Sequence, residues 1–182
     1  DGDDLLPKDA LLHLYVKAEK TYADMVAGNV MTFGEGQGTD DFSRRNKEIG
    51  FTVSGETFLT EAISNHHYVP MVYNYLYRRS FIELHELLFE PSILHEDELW
   101  TPIALVQAER IASISNTSYL YRQHEASIMS SSKAERRIAS IGVVIRRLEE
   151  FIKDKPKNCR YAVCERINIL RIIIKQLNTN LI

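Results

Sequence analysis

The chain of 182 residues and 21.0 kDa is the size of one ordinary domain, and its 45% apolar content provides for a core, which argues against disorder. Its 22 basic and 25 acidic residues leave a net charge of -3 with no long basic run to follow a phosphate backbone, so nucleic acid is not expected as a partner. The apolar run Ile172–Ile174 is broken by Arg171 and Lys175, and no apolar run approaches the ~20 residues a bilayer span needs.

Pro7 followed by Ala10, Leu11, Leu14, Tyr15 and Ala18 places apolar residues at helical spacing and predicts a helix from Pro7 to Tyr22. Asp24 to Phe33 mixes small, β-branched and apolar residues and predicts a strand that ends in the Gly34–Gly38 turn cluster. Residues 34–50 are polar and glycine-rich and read as a loop. Ser54 with Glu56 and Thr57 starts a second helix through Ile63, and Val69 to Tyr77 reads as extended. A short helix follows Arg78, Arg79 and Ser80, Leu88 to Leu94 is irregular, and a further helix runs from Glu96 to about Glu109.

Two short strands are expected at Arg110–Ile114 and Thr117–Gln123. From Ser131 the pattern becomes two long helices separated at Pro156. The first carries Ile138, Ile141, Ile145, Leu148 and Ile152, the second Val163, Ile167, Leu170, Ile174, Leu177 and Leu181, which is the seam of a helical hairpin. Cys159 and Cys164 have the spacing of neither a disulfide framework nor a zinc knuckle and read as buried or idle thiols. The sequence opens without an initiator Met or a signal segment, so it reads as an excised piece of a longer chain.

Three clusters could carry chemistry. In Asp1-Gly2-Asp3-Asp4, alternate carboxylates can converge on one hard cation, Mg²⁺ or Mn²⁺. The simpler reading is an acidic cap for the helix at Pro7. In His95-Glu96-Asp97-Glu98, capping is again the simpler reading. The functional one makes a carboxylate a general base while the neighbouring Trp100 offers its face to a sugar ring. There a helix N-terminus should lower the pKa of the acid, leaving position more important than basicity. In Tyr119-Leu120-Tyr121-Arg122-Gln123-His124-Glu125-Ala126-Ser127-Ile128, Arg122 can hold phosphate oxygens and His124 can complete a metal shell, although a lone histidine is more simply a surface residue. His66-His67 and the basic residues Lys133, Arg136 and Arg137 are read as ordinary solvated groups.

The order of these clusters, with Ala23-Asp24-Met25-Val26 and Tyr73-Asn74-Tyr75-Leu76-Tyr77-Arg78-Arg79 between them, resembles family 2 glycosyltransferases over residues 1–130. The resemblance implies an α/β fold: a partial GT-A mixed sheet with flanking helices, its acceptor-side half in residues 1–130, followed by a C-terminal helical extension in 131–182. It implies metal ligation by Asp1, Asp3, Asp4 and His124, donor-phosphate contact by Arg122, catalysis by Asp97 as base with Glu96 in support, and acceptor contacts by Tyr73, Asn74 and Trp100. The reaction implied is inverting, metal-dependent transfer of a sugar from a nucleotide-sugar donor to a hydroxyl of a glycan or lipid-linked acceptor, in bacterial polysaccharide or glycan synthesis.

The family's nucleotide-binding segment precedes Asp-x-Asp and has no counterpart here, so this piece alone is expected to be inactive. A cytoplasmic setting, at most peripheral to the inner membrane face, fits the resemblance. The helical tail is expected to serve packing or homodimer contact, with peripheral membrane docking as a further role open to it. The alternative is a non-catalytic binding or oligomerisation module that keeps the fold. A metal-dependent phosphohydrolase ranks last, because neither a nucleophile nor a second metal site is evident.

Overall fold

A computed structural model describes residues 2–34, 50–123 and 134–179. In chain order it forms α1 (Ala10–Thr21), β1 (Met25–Phe33), α2 (Gly55–Ser64), a 3-10 turn (Val72–Asn74), β2 (Tyr75–Tyr77), α3 (Arg79–Leu84), α4 (Asp97–Gln107), β3 (Ile111–Arg122), α5 (Ala134–Ile152) and α6 (Lys157–Thr179).

Three strands make a mixed sheet in the order β2-β1-β3, with β1 antiparallel to β2 and parallel to β3. The central strand β1 is buried along its first six residues, because both of its faces are covered. Met25 and Ala27 face one apolar cluster, together with Phe58 and Leu59 of α2, Leu105 of α4, Leu148 of α5 and Leu170 of α6. Val26 faces a second, smaller cluster with Leu14 of α1 and Ala112 and Ile114 of β3. The sheet is therefore sandwiched between α1 on one side and α2, α4 and the α5–α6 hairpin on the other. Cys159 is buried in the larger cluster, and both cysteines are free thiols.

Several boundaries differ from those the sequence suggests. The first helix begins at Ala10 rather than Pro7, and its N-cap residue Asp9 makes no side-chain cap bond. Ala10 and Leu14 point inward while Leu11 and Tyr15 are exposed, so the apolar stripe is only partly buried. Asp24 precedes β1 rather than starting it. Its carboxylate accepts from the N–H groups of Glu109 and Arg110, at 3.1 and 2.9 Å, tying the start of β1 to the entry of β3. Val69–Tyr77 is not one strand. Its first part is held as a bent loop by Tyr75 Oη donating to the Val69 carbonyl and Tyr77 Oη to that of Val72, and only Tyr75–Tyr77 pairs in the sheet.

The two short strands expected around 110–123 are one. Polar Ser115 and Asn116 look like a break, but they form an outward bulge, where the register with β1 shifts between Ala27 and Asn29. Asn29 compensates for the disrupted ladder by donating its side-chain amide to the carbonyls of Ile114 and Ser115.

Candidate active site

The acidic N-terminal segment is not a helix cap. Leu5 pairs with Leu120 in an antiparallel bridge, its N–H donating to the Leu120 carbonyl at 3.0 Å and its carbonyl accepting from the Leu120 N–H at 2.8 Å. This lays Asp3 and Asp4 along the C-terminal end of β3. Asp4 accepts from the Tyr119 hydroxyl through Oδ2 and from the Arg122 backbone N–H through Oδ1, both at 2.7 Å. The Arg122 side chain donates from Nε to the Asp3 carbonyl at 2.9 Å, and its guanidinium lies 4.6 Å above the Phe33 ring. The Asp3 residue is exposed, whereas Asp4 is half-buried. Asp1 and His124, two of the four expected metal ligands, lie outside the described residues. Among the described residues, no group of three or more metal-ligating side chains converges.

Tyr119 and Tyr121 project on the same face of β3, as their period-two spacing requires. Tyr73, from the 3-10 turn, stacks against both, with ring centroids 4.0 Å from Tyr119 and 6.4 Å from Tyr121. Burial raises the Tyr73 phenol's pKa well above its ordinary value, and the neighbouring Tyr121 and Tyr119 add to this, followed by the charges of Asp4 and Asp97. Tyr73 is thus within electrostatic reach of both the N-terminal carboxylate and the one at the start of α4.

Asp97 is the first residue of α4, in a turn where His95 takes a left-handed backbone (φ 61°), a conformation uncommon outside glycine. Asp97 Oδ1 accepts from the Glu98 backbone N–H at 2.9 Å. Contrary to the helix-end expectation, its pKa is pushed up to about 7. Burial is the main cause, with the charges of Glu98 and Glu96 adding to it and outweighing the backbone hydrogen bonds that favour the ionised form. A carboxylate poised near neutrality is suited to accept a proton at physiological pH. Glu96 is exposed beside it.

Two expected acceptor contacts sit differently. Asn74 is fully buried, at 1% exposure, and so is part of the wall rather than a surface contact. Trp100 is also buried; Phe89 stacks on its face at 5.3 Å and the Tyr77 ring meets it edge-on at 5.0 Å, leaving that face already covered. Tyr73 remains half-buried, within electrostatic reach of Asp4 and Asp97.

Sequence reasoning assigns Tyr119, Tyr121 and Glu98 no individual role, although all three lie in its candidate clusters, and it does not single out Arg166. The alternation of Tyr119 and Tyr121 on a strand was a usable signal for a shared face. Arg166 gave none, since its partner Glu98 lies 68 residues away in sequence.

No family model and no curated protein matches the chain. Solved structures do. The S. aureus TarS 1-349 structure in complex with UDP-GlcNAc superposes with a TM-score of 0.68 at 18% identity, covering 92% of this chain and 46% of that one. The same TarS segment in complex with UDP gives 0.65 at 16% identity, covering 92% and 44%. The chain spans less than half the length of these structures. The likeness is one of fold: a mixed three-stranded sheet with flanking helices, matching part of the GT-A-like fold of those structures. No helix among the described residues is long and apolar enough to cross a membrane.

Proposed function

We propose that this chain forms the acceptor-side part of an inverting, metal-dependent family 2 glycosyltransferase of the hexosyltransferase type, which transfers a sugar from a nucleotide-sugar donor to a hydroxyl of a glycan or lipid-linked acceptor. What carries the reading is Asp97: a half-buried carboxylate raised to about 7 that shares the neighbourhood of Tyr73 with Asp4. The UDP and UDP-GlcNAc in the TarS structures support a uridine diphospho-sugar as the first donor to test.

In this reading Asp97 accepts the proton of the acceptor hydroxyl as its oxygen attacks the anomeric carbon, and Glu96 supports its charge. Asp3, the more exposed of the two described carboxylates, is the one this reading assigns to the cation, while Asp4 accepts from Tyr119 and Arg122. Asp4 then acts as the anchor of the segment that would hold the metal, and Asp1 and His124 would complete its ligand set. A divalent cation, Mg²⁺ or Mn²⁺, would supply positive charge against the departing diphosphate. Arg122, exposed beside Asp3, is the donor-phosphate contact. Tyr73 presents the aromatic surface toward the acceptor. A cytoplasmic setting, with the C-terminal helices serving dimer contact or peripheral membrane docking, belongs to the same proposal.

A second reading, a non-catalytic module that keeps the fold, is favoured by one observation: Asp97 Oδ1 is engaged by a backbone N–H of its own helix. Turnover separates the two. The intact protein should release nucleoside diphosphate from a UDP-sugar in the presence of acceptor and Mn²⁺, and Asp3→Ala should raise the Mn²⁺ concentration required by tenfold or more. Donor binding without turnover under any metal condition would favour the module.

A further inference from the structure

The C-terminal hairpin reaches the stretch around Asp97 at three successive points. Ser140 of α5 accepts from the Leu94 N–H at 3.0 Å, Arg147 of α5 donates to Glu90 Oε2 from Nε at 3.1 Å and from Nη2 at 2.8 Å, and Arg166 of α6 grips Glu98. The last contact differs in kind from the second. The Arg147–Glu90 pair is well exposed on its arginine side, whereas the side chains of Arg166 and Glu98 are only 10% and 12% exposed. Arg166 holds Glu98 as a fork, Nε to Oε2 at 2.8 Å and Nη2 to Oε1, and its guanidinium also lies 4.8 Å from the Tyr68 ring centroid. Glu98 is in turn the residue whose backbone N–H donates to Asp97.

We propose that Arg166 is a positioning residue for Asp97: from the helical hairpin it fixes Glu98, and through the Glu98 N–H it fixes the Asp97 carboxylate. The inference rests on the reading of Asp97 as the base. It gives the C-terminal helices a role in the chemistry beyond packing, since they carry the group that offsets the charge next to Asp97.

The groups facing Asp97 set the expected signs. Glu96 and Glu98 from α4 raise its pKa, with the tyrosines Tyr68, Tyr73 and Tyr77 and the Arg166 guanidinium also within its electrostatic reach. Arg166 counters Glu98. Removing the cation leaves the Glu98 charge uncompensated beside Asp97; removing the Glu98 charge leaves the cation uncompensated. The two deletions must therefore move the Asp97 titration in opposite directions.

The test is a carbon-13 NMR titration of the Asp97 carboxylate in the intact protein, with transfer kinetics alongside. Arg166→Met should raise the titration midpoint by about one pH unit, enough to lower the ionised fraction at pH 7 from about a half to about a tenth. The isosteric Glu98→Gln should lower it, and Arg166→Lys should return it toward the native value. In the kinetics, Arg166→Met should lower kcat with donor KM unchanged. If both variants fold but leave the midpoint unmoved, and only the melting temperature falls, Arg166 is merely structural and the proposal is overturned. The titration reads the carboxylate directly and does not depend on turnover. Loss of the base reading through an indifferent Asp97→Asn variant is therefore distinguishable from loss of the Arg166 role.

Discussion

The Tyr119 hydroxyl donates to Asp4 Oδ2 at 2.7 Å across more than a hundred residues of sequence, and this bond, with the Arg122 N–H on the other oxygen, fastens the acidic N-terminal segment to β3. Burial raises the Tyr119 pKa, and the bond to Asp4 raises it further, so the phenol stays a donor at any physiological pH. Tyr119→Phe removes that donor while keeping the stack on Tyr73. A hydrogen bond to a charged acceptor contributes about 1.5–3 kcal/mol, and urea denaturation should show a loss of that order. On the proposed metal site, Mn²⁺ affinity should fall at the same time, because Asp3 belongs to the segment that Asp4 anchors.

The buried pair makes a sharper stability prediction. Glu98→Ala leaves the Arg166 guanidinium buried without its carboxylate and should cost about 3–5 kcal/mol by denaturant unfolding. Glu83→Ala breaks the Arg79–Glu83 pair, whose side chains are 91% and 60% exposed, and should change stability by less than about 0.5 kcal/mol. Equal effects from the two would show that the Glu98–Arg166 pair is not buried in solution.

Stability should depend on pH through Asp97. Its carboxyl keeps a proton in the folded protein up to about pH 7, whereas in the unfolded chain it loses it near the ordinary value of 3.8. The native state therefore binds the extra proton between these values, and stability from this group is full below about pH 4 and declines as pH rises to about 7. Asp97→Asn cannot ionise and should lack that slope. Relative to wild type, the Asn variant should gain about 2–4 kcal/mol between pH 4 and pH 8, measured by chemical denaturation across the range.

How far the sequence discloses this structure varies by element for physical reasons. The α5–α6 hairpin follows directly from periodicity, because each helix buries the face that its spacing announces, whereas β1 is legible from its small, β-branched and apolar composition, being covered on both faces. Val69–Tyr77 misleads because its residues have strand composition, while their conformation is decided by where the Tyr75 and Tyr77 hydroxyls find carbonyls. The Ser115–Asn116 bulge looks like a strand end because the compensating amide belongs to Asn29, on another strand.

The site shows the same divide. Asp97 and Tyr73 are named by their motifs, but local reasoning about helix ends gives the wrong sign for the Asp97 pKa, which depends on tertiary burial. Asp4 reads as a cap until its partners on β3 are known. Trp100 reads as a platform until Phe89 is found covering its face.

The most direct test of the central claim is the comparison of Asp97→Asn with wild type in the intact protein, measuring donor affinity and kcat for sugar transfer at pH 7.5. With Asp97 as base, kcat should fall by about 10²–10⁴-fold while donor affinity changes less than threefold. An Asn variant that transfers sugar at the wild-type rate would contradict the assignment and return Asp97 to the role of a helix-terminal hydrogen-bond acceptor.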